Sequence, residues 1–349
     1  MNATTNGLAD ARPYAERLAG IERILAVDPR NVRGLVDRGD LYVEAGDTRA
    51  ASAFYRQALK VAPAPQSCPP EMLVALRRAE AALAAQARQY QEHLYGSLAA
   101  AGFDPAVSSP RFAESMELLL GKKQVYHQQP KYFYFPGLPQ LQFYPRVLFP
   151  WMDALEAATN DIRDELLRVL EEPQAFQPYV QGDPNRPRKD QQGMLNNPAW
   201  SALYLWKNGQ RVDDYADRFP RTLEALRSVP LAATPNRSPS VLFSLLKPGA
   251  AIPPHNGLTN TRLICHLPVI TPSGCFFRVG NETREWEQGK AWAFDDSVEH
   301  EARNTSRETR VVLLFDIRRP ELTDEENRLV GELFAAIDAH AGAPPQWEI

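Results

Sequence analysis

Between Phe243 and Ile317 no apolar run is long. Arg262–Val269, Cys275–Val279, Lys290–Phe294 and Arg310–Ile317 are short, and clusters of Pro, Gly, Asn and Ser separate them. This is the pattern of many short strands joined by turns, and it predicts a sandwich or barrel. Three of the six histidines, His255, His266 and His300, fall in this stretch. A jelly roll with histidines at its mouth is a natural place for a metal ion.

His255 follows a Pro-Pro pair at the start of a turn, and His300 closes the strand-like run after Ser297. They lie 45 residues apart (300 − 255), so only the fold can bring them together. Imidazoles with open coordination positions suit iron, and the usual mononuclear site adds a carboxylate two residues after the first histidine. Here that residue is Gly257. Spacing alone therefore leaves two readings open: a pair of metal ligands, or two hydrogen-bonded residues at strand ends.

The longer motifs separate the two readings. His255-Asn-Gly-Leu-Thr-Asn260-Thr-Arg262-Leu-Ile-Cys-His266-Leu resembles the HxGxxNxRLxxHL signature of the aspartyl/asparaginyl β-hydroxylase family. Asn281–Glu301 resembles its second signature, which runs Asn-Glu-Thr, Trp, Gly-Lys and Phe-Asp-Asp-Ser-x-x-His-Glu. Arg310 stands ten residues past His300, where the family keeps an arginine, and Asp316–Leu322 is similar to its closing motif. Trp200-Ser and Leu205-Trp206-Lys-Asn-Gly209 match upstream, so the likeness runs from Trp200 to Leu322.

The resemblance implies an Fe(II)- and 2-oxoglutarate-dependent dioxygenase on a double-stranded β-helix, a cupin-like jelly roll with flanking helices. It implies iron held by His255 and His300 with no carboxylate, which makes Gly257 part of the pattern. Arg310 and Ser244 would hold the distal carboxylate of 2-oxoglutarate, and His266 its other end. Arg262, Asn260 and Trp206 would face the substrate, while Asp295 and Asp296 would make hydrogen bonds behind the ligands and orient an imidazole. Two departures stand out: Ile264 replaces an assisting arginine, and Leu195 falls where a substrate-side arginine is expected. O2 and 2-oxoglutarate would be consumed to give succinate and CO2 while one oxygen enters an unactivated C–H bond. The first target is the β-carbon of an Asp- or Asn-like residue in a peptide, protein or small molecule. The alternatives are an acyl chain or other metabolite, or a non-catalytic jelly roll used for binding.

The rest of the chain sets the context. A formal net charge of −4 leaves no basic excess to neutralise phosphates, which argues against general nucleic-acid binding. The cysteines, Cys68, Cys265 and Cys275, are sparse and unpaired in spacing, as expected of reduced thiols in a cytoplasmic protein. No secretory signal opens the sequence, and no apolar run reaches the length of a membrane span.

Residues 1–100 are helical in pattern. Leu35, Gly39, Tyr42, Gly46, Ala51, Tyr55, Ala58 and Pro63 fall at tetratricopeptide spacings, with Tyr14–Val27 as half of a preceding repeat and a capping helix from Pro70 to about Tyr95. So few repeats predict a spacer, and a groove for a partner peptide is the lesser reading. Residues 101–349 are expected to form the hydroxylase domain, with a jelly-roll core at about 195–320. Within them, the aromatic bridge Gly102–Pro150 should pack on the domain. Helices are expected from Pro150 to about Glu171, over Asp213–Ser228, and over Thr323–His340 behind a Thr-x-x-Glu capping box. The polar stretch Pro173–Pro198 reads as a lid.

Overall fold

The computed structural model describes residues 13–172, 174–182 and 193–341. The chain forms two compact units, 1–123 and 124–349, so the helices up to Leu119 belong to the first.

The first unit consists of α1 (Tyr14–Val27), α2 (Val32–Glu44), α3 (Thr48–Val61), α4 (Pro70–Ala100) and α5 (Pro110–Leu119). Local chemistry sets the ends. Asn31 and Asp47 cap α2 and α3 by accepting from the N–H groups of Gly34 and Ala50, both at 2.9 Å. Gly46, at φ +79°, takes the left-handed turn that stops α2. A β-carbon at Gly39 would lie 2.4 Å from Cε1 of Tyr55, so only glycine lets α3 approach α2 this closely. Tyr55, Leu35, Ala51 and Ala58 are buried there, as the small-and-aromatic spacing predicted.

The second unit opens with α6 (Met152–Ala157) and α7 (Thr159–Leu167), then β1 (Gln177–Pro178), β2 (Trp200–Lys207) and β3 (Gln210–Arg211). After α8 (Asp213–Ala216) and α9 (Pro220–Ala225) come β4 (Val241–Leu246), β5 (Ala251–His255), β6 (Arg262–Ile270), β7 (Cys275–Val279) and β8 (Glu282–Glu285). β9 (Trp292–Phe294), β10 (His300–Asn304), β11 (Arg310–Arg318) and α10 (Asp324–Ala341) complete it. The strands pair antiparallel in two sheets. One runs β1-β2-β4-β11-β6-β9 with β3 beside β2, and the other runs β5-β10-β7-β8. This is the expected double-stranded β-helix with flanking helices.

Strand alternation divides the side chains of the larger sheet. Val241, Phe243, Leu263, Cys265, Leu267, Val311, Leu313, Phe315 and Ile317 point outward and pack with Met152, Leu155, Ile162 and Leu166 of α6 and α7. Fully burying each such side chain contributes roughly 1.5–3 kcal/mol, so this layer anchors the sheet. Inner positions such as Leu246, Ile264 and Val312 face Ile252, Phe277 and Ala302 of the smaller sheet. The catalytic candidates sit among these inner positions.

Several expected elements are adjusted. The single helix from Pro150 is two, broken at Ala158, where the Thr159 hydroxyl donates to the Glu156 carbonyl at 2.6 Å. The helix over Asp213–Ser228 is also two, because Pro220 starts the second. Thr323 and Glu326 form the expected capping box at α10. The apolar spacing of Leu329, Leu333 and Ile337 suggests an inward face through them, but the buried residues are Val330 and Phe334, and Leu329 and Leu333 are exposed. The aromatic bridge packs as expected at Phe143, Tyr144 and Phe149, whereas Tyr132 and Tyr134 are exposed. Pro173 and residues 183–192 of the expected lid lie outside the described residues. Among the described residues all three cysteines are free and buried, and no helix is long and apolar enough to cross a membrane.

Candidate active site

β5 and β10 are neighbours, and His255 stands opposite His300 across the pair. The two imidazoles are 4.1 Å apart at their centroids and inclined at 54°. Each ring is tied to its own strand. Nδ1 of His255 is 2.8 Å from the Pro253 carbonyl oxygen, and Nδ1 of His300 is 3.0 Å from that of Val298. A carbonyl only accepts, so each Nδ1 carries the hydrogen and each Nε2 keeps its lone pair. Burial pulls His255 down to about 4 and holds His300 well below the usual histidine range, with His255 adding to the effect. Two adjacent, neutral, oriented imidazoles are a fitting donor set for iron. The orienting acceptors are backbone carbonyls, which corrects the expectation that Asp295 or Asp296 would do this.

The larger sheet supplies the opposite wall. Ser244 pairs with Val312, and His266 with Leu314, so Arg310, Ser244 and His266 line one pocket with both histidines. Arg310 is 1% exposed and forms no ion pair with a carboxylate among the described residues. Its Nη1 donates to the Ser244 carbonyl at 3.1 Å, its Nε has no acceptor, and its Cζ lies 4.6 Å from the Trp286 ring centroid. Burial without a counter-ion lowers its pKa to about 10. The indole N–H of Trp200 donates to the Ser244 hydroxyl at 3.2 Å, which leaves the hydroxyl hydrogen for a ligand. His266 is buried, with Nδ1 unpartnered, and burial together with nearby Arg310 keeps the ring neutral. Ile264 also lines this pocket as a purely apolar wall.

Arg262 reaches the same pocket, but its charge is taken. Its Nη1 donates to Asp296 Oδ2 at 3.0 Å, and its Nε is 3.8 Å from Asp316 Oδ1. Burial pushes Asp296 up to about 6 against the pull of Arg262. Asp296 also explains Gly257: a β-carbon there would lie 2.1 Å from Asp296 Oδ2. The usual carboxylate-ligand position thus has no room for a side chain. Among the described residues no group of three or more His, Cys, Asp or Glu is placed to hold a metal ion.

Three expected roles change. Asn260 is fully buried and its amide is fully engaged, donating to Gln128 Oε1 and the Phe135 carbonyl and accepting from the Phe135 N–H. It is a structural clamp and not a substrate contact. Trp206 packs against the outer core, away from the pocket; Trp200, stacked on Tyr179 at 4.2 Å, lines it instead. Asp295 accepts from Gln128, Arg319 and Ser297, and it locks the strap 124–144 to the barrel. The strap is further held by the N–H of Lys131 on the Gly257 carbonyl and that of Gln129 on the Ser297 carbonyl. No sequence signal marks Gln128. Trp286 and Phe294 lie inside the second signature, whereas Phe277 carried only an apolar signal.

Comparison with known proteins gives the family likeness. Residues 156–320 match the family model described as aspartyl/asparaginyl beta-hydroxylase. The resemblance to that family is thereby shown. The human aspartyl/asparaginyl beta-hydroxylase is 34% identical over 176 residues, 50% of this chain and 22% of its own length. The ornithine lipid ester-linked acyl 2-hydroxylase of Rhizobium tropici is 32% identical over 51% of this chain and 60% of its own. Human aspartate beta-hydroxylase domain-containing protein 2 is 30% identical over 60% of this chain and 55% of its own. The chain thus spans less than two thirds of the length of each of these relatives. Among solved structures, a cupin domain of an Enterobacter cloacae transcriptional regulator covers 35% of this chain at 14% identity and a TM-score of 0.24, which carries no argument.

Proposed function

We propose that this protein is an Fe(II)- and 2-oxoglutarate-dependent hydroxylase. One observation carries the reading: two adjacent imidazoles with free Nε2 positions share a pocket with a buried arginine that has no carboxylate partner among the described residues. An uncompensated buried guanidinium is costly unless a ligand supplies the anion. A dicarboxylate with an oxo acid at one end meets both needs, since it can chelate a metal and reach Arg310.

When bound, iron would supply the oxidising power that couples 2-oxoglutarate decarboxylation to insertion of oxygen into a C–H bond. The chain does the rest. His255 and His300 would hold the ion, their Nδ1 hydrogens fixed on Pro253 and Val298. Arg310 would grip the distal carboxylate through its fork, and Ser244 would donate its hydroxyl hydrogen. Neutral His266 lies towards the other end of the ligand, where Ile264 adds no charge. Phe277, Phe294 and Trp286 line the pocket beside His266 and Arg310 and exclude water from it.

The target first proposed is an unactivated C–H of an Asp- or Asn-like residue, in line with the family matched. An acyl chain is the second reading, and two observations favour it. The charge of Arg262 is neutralised by Asp296 and Asp316, and the pocket wall includes Tyr179, Trp200, Ile252 and Leu258. Succinate formation from 2-oxoglutarate by the iron-loaded full chain tests the activity. It should require both histidines, and either His255→Ala or His300→Ala should abolish it. Undiminished turnover in either variant would overturn the assignment.

A further inference from the structure

Trp286 sits just after β8 and is 4% exposed, with its backbone N–H on the Cys275 carbonyl at 3.1 Å. Its indole lines the same pocket as Arg310 and lies near-parallel to Trp292, 6.1 Å away at 17°. Phe277 is 5.3 Å from it on the smaller sheet. Two features are unusual together. The Arg310 guanidinium faces this ring at 4.6 Å, where another buried arginine would have a carboxylate. The indole Nε1–H is itself buried with no acceptor, as is Arg310 Nε. A buried donor left unsatisfied costs free energy, and two lining one pocket from its two sheets mark a place prepared for an acceptor.

We infer that Trp286 is a ligand-binding residue of the anion end of this pocket. Its face carries the Arg310 charge without consuming the fork, and its N–H donates to the carboxylate that Arg310 holds. A carboxylate partner for Arg310 would have neutralised the site and competed with the ligand. An aromatic face stabilises the cation and leaves its hydrogen-bond donors available. This inference rests on the proposed 2-oxoglutarate site and adds a specific donor to it.

Calorimetry on the full chain loaded with Mn(II) tests the inference, with two ligands. One is 2-oxoglutarate; the other is a 2-oxo monoacid of equal chain length that lacks the distal carboxylate. Trp286→Phe keeps the face and removes the N–H, and should weaken 2-oxoglutarate by about tenfold while leaving the monoacid unchanged. Trp286→Leu removes both and should weaken 2-oxoglutarate by a further factor of about five. Equal affinity of the parent and Trp286→Phe for 2-oxoglutarate, or equal losses for both ligands, would overturn the inference. Failure of the parent chain to bind 2-oxoglutarate would instead overturn the proposed function on which it rests. If Trp286→Phe does not fold, the indole N–H proton resonances of the Zn(II)-loaded parent decide. Of the six, the Trp200 signal is identified by Trp200→Phe and set aside, because that N–H donates to Ser244; one other should move on adding 2-oxoglutarate and stay in place on adding the monoacid. No such selective movement would overturn the inference.

Discussion

At the scale of single residues, Arg310 and Arg262 are opposites. Both are buried and both line the pocket, yet among the described residues Arg262 has two aspartates and Arg310 has none. The sequence shows two arginines in family positions and cannot show which charge is already spent. Asp296 and Asp316 are distant in the chain and reach Arg262 only through the β6–β11 pairing and the turn after β9. For Arg310 the consequence is measurable. Arg310→Lys keeps the charge and loses the fork, so 2-oxoglutarate affinity should fall by about 10- to 100-fold, roughly 1.4–2.8 kcal/mol. Arg310→Met should abolish that binding and yet raise the melting temperature of the ligand-free protein, because it removes a buried charge without a partner. A lowered melting temperature in Arg310→Met would show that the charge is compensated after all.

The histidines give the pH dependence. His255 titrates near 6.5 when unfolded and is pulled down to about 4 by burial in the folded chain. A depressed base is bound to fewer protons in the native state, so its share of stability is complete above about pH 6.5. That share is lost as pH falls towards 4, and amounts to about 3 kcal/mol. His266 and His300 shift in the same direction. The metal-free protein should therefore lose stability between pH 6.5 and 4, and His255→Gln should flatten the curve. Denaturant midpoints across that window test the prediction, and a flat parent curve would contradict it.

At the scale of elements, periodicity was a good guide to strands and a poorer one to helix continuity. The runs at Cys275–Val279 and Arg310–Ile317 became β7 and β11 almost residue for residue: β7 alternates buried and half-buried positions, whereas β11 is buried on both faces and reads as a continuous apolar run between turns. The breaks at Ala158 and Pro220 come from a side-chain hydrogen bond and a proline that apolar spacing does not register. Nor does spacing reveal the strap 124–144, whose attachment depends on buried polar contacts among Gln128, Asn260, Asp295 and Arg319. Asn260 is the element-scale test. Asn260→Ala strands the Phe135 N–H and carbonyl, and should cost about 2–3 kcal/mol of stability. If Asn260 is a clamp, 2-oxoglutarate affinity and substrate selectivity of the folded variant will match the parent; a selective loss of substrate turnover would return it to the substrate side.

At the scale of the whole molecule, the motifs from Trp200 to Leu322 identified the site-bearing part because they are concentrated at the strands that build the pocket. The polar scaffold behind it lies partly outside that stretch and outside residues 156–320, where the family match falls. The central claim is that two histidines without a carboxylate hold the metal, opposite an arginine kept free for an oxo acid. A crystal of the full chain soaked with Mn(II) and a 2-oxoglutarate analogue tests it most directly. The predicted anomalous peak lies within bonding distance of Nε2 of His255 and Nε2 of His300, with the distal carboxylate on Arg310 and Ser244. A metal bound by Asp295 or Asp296, or an analogue carboxylate seated away from Arg310, would contradict it.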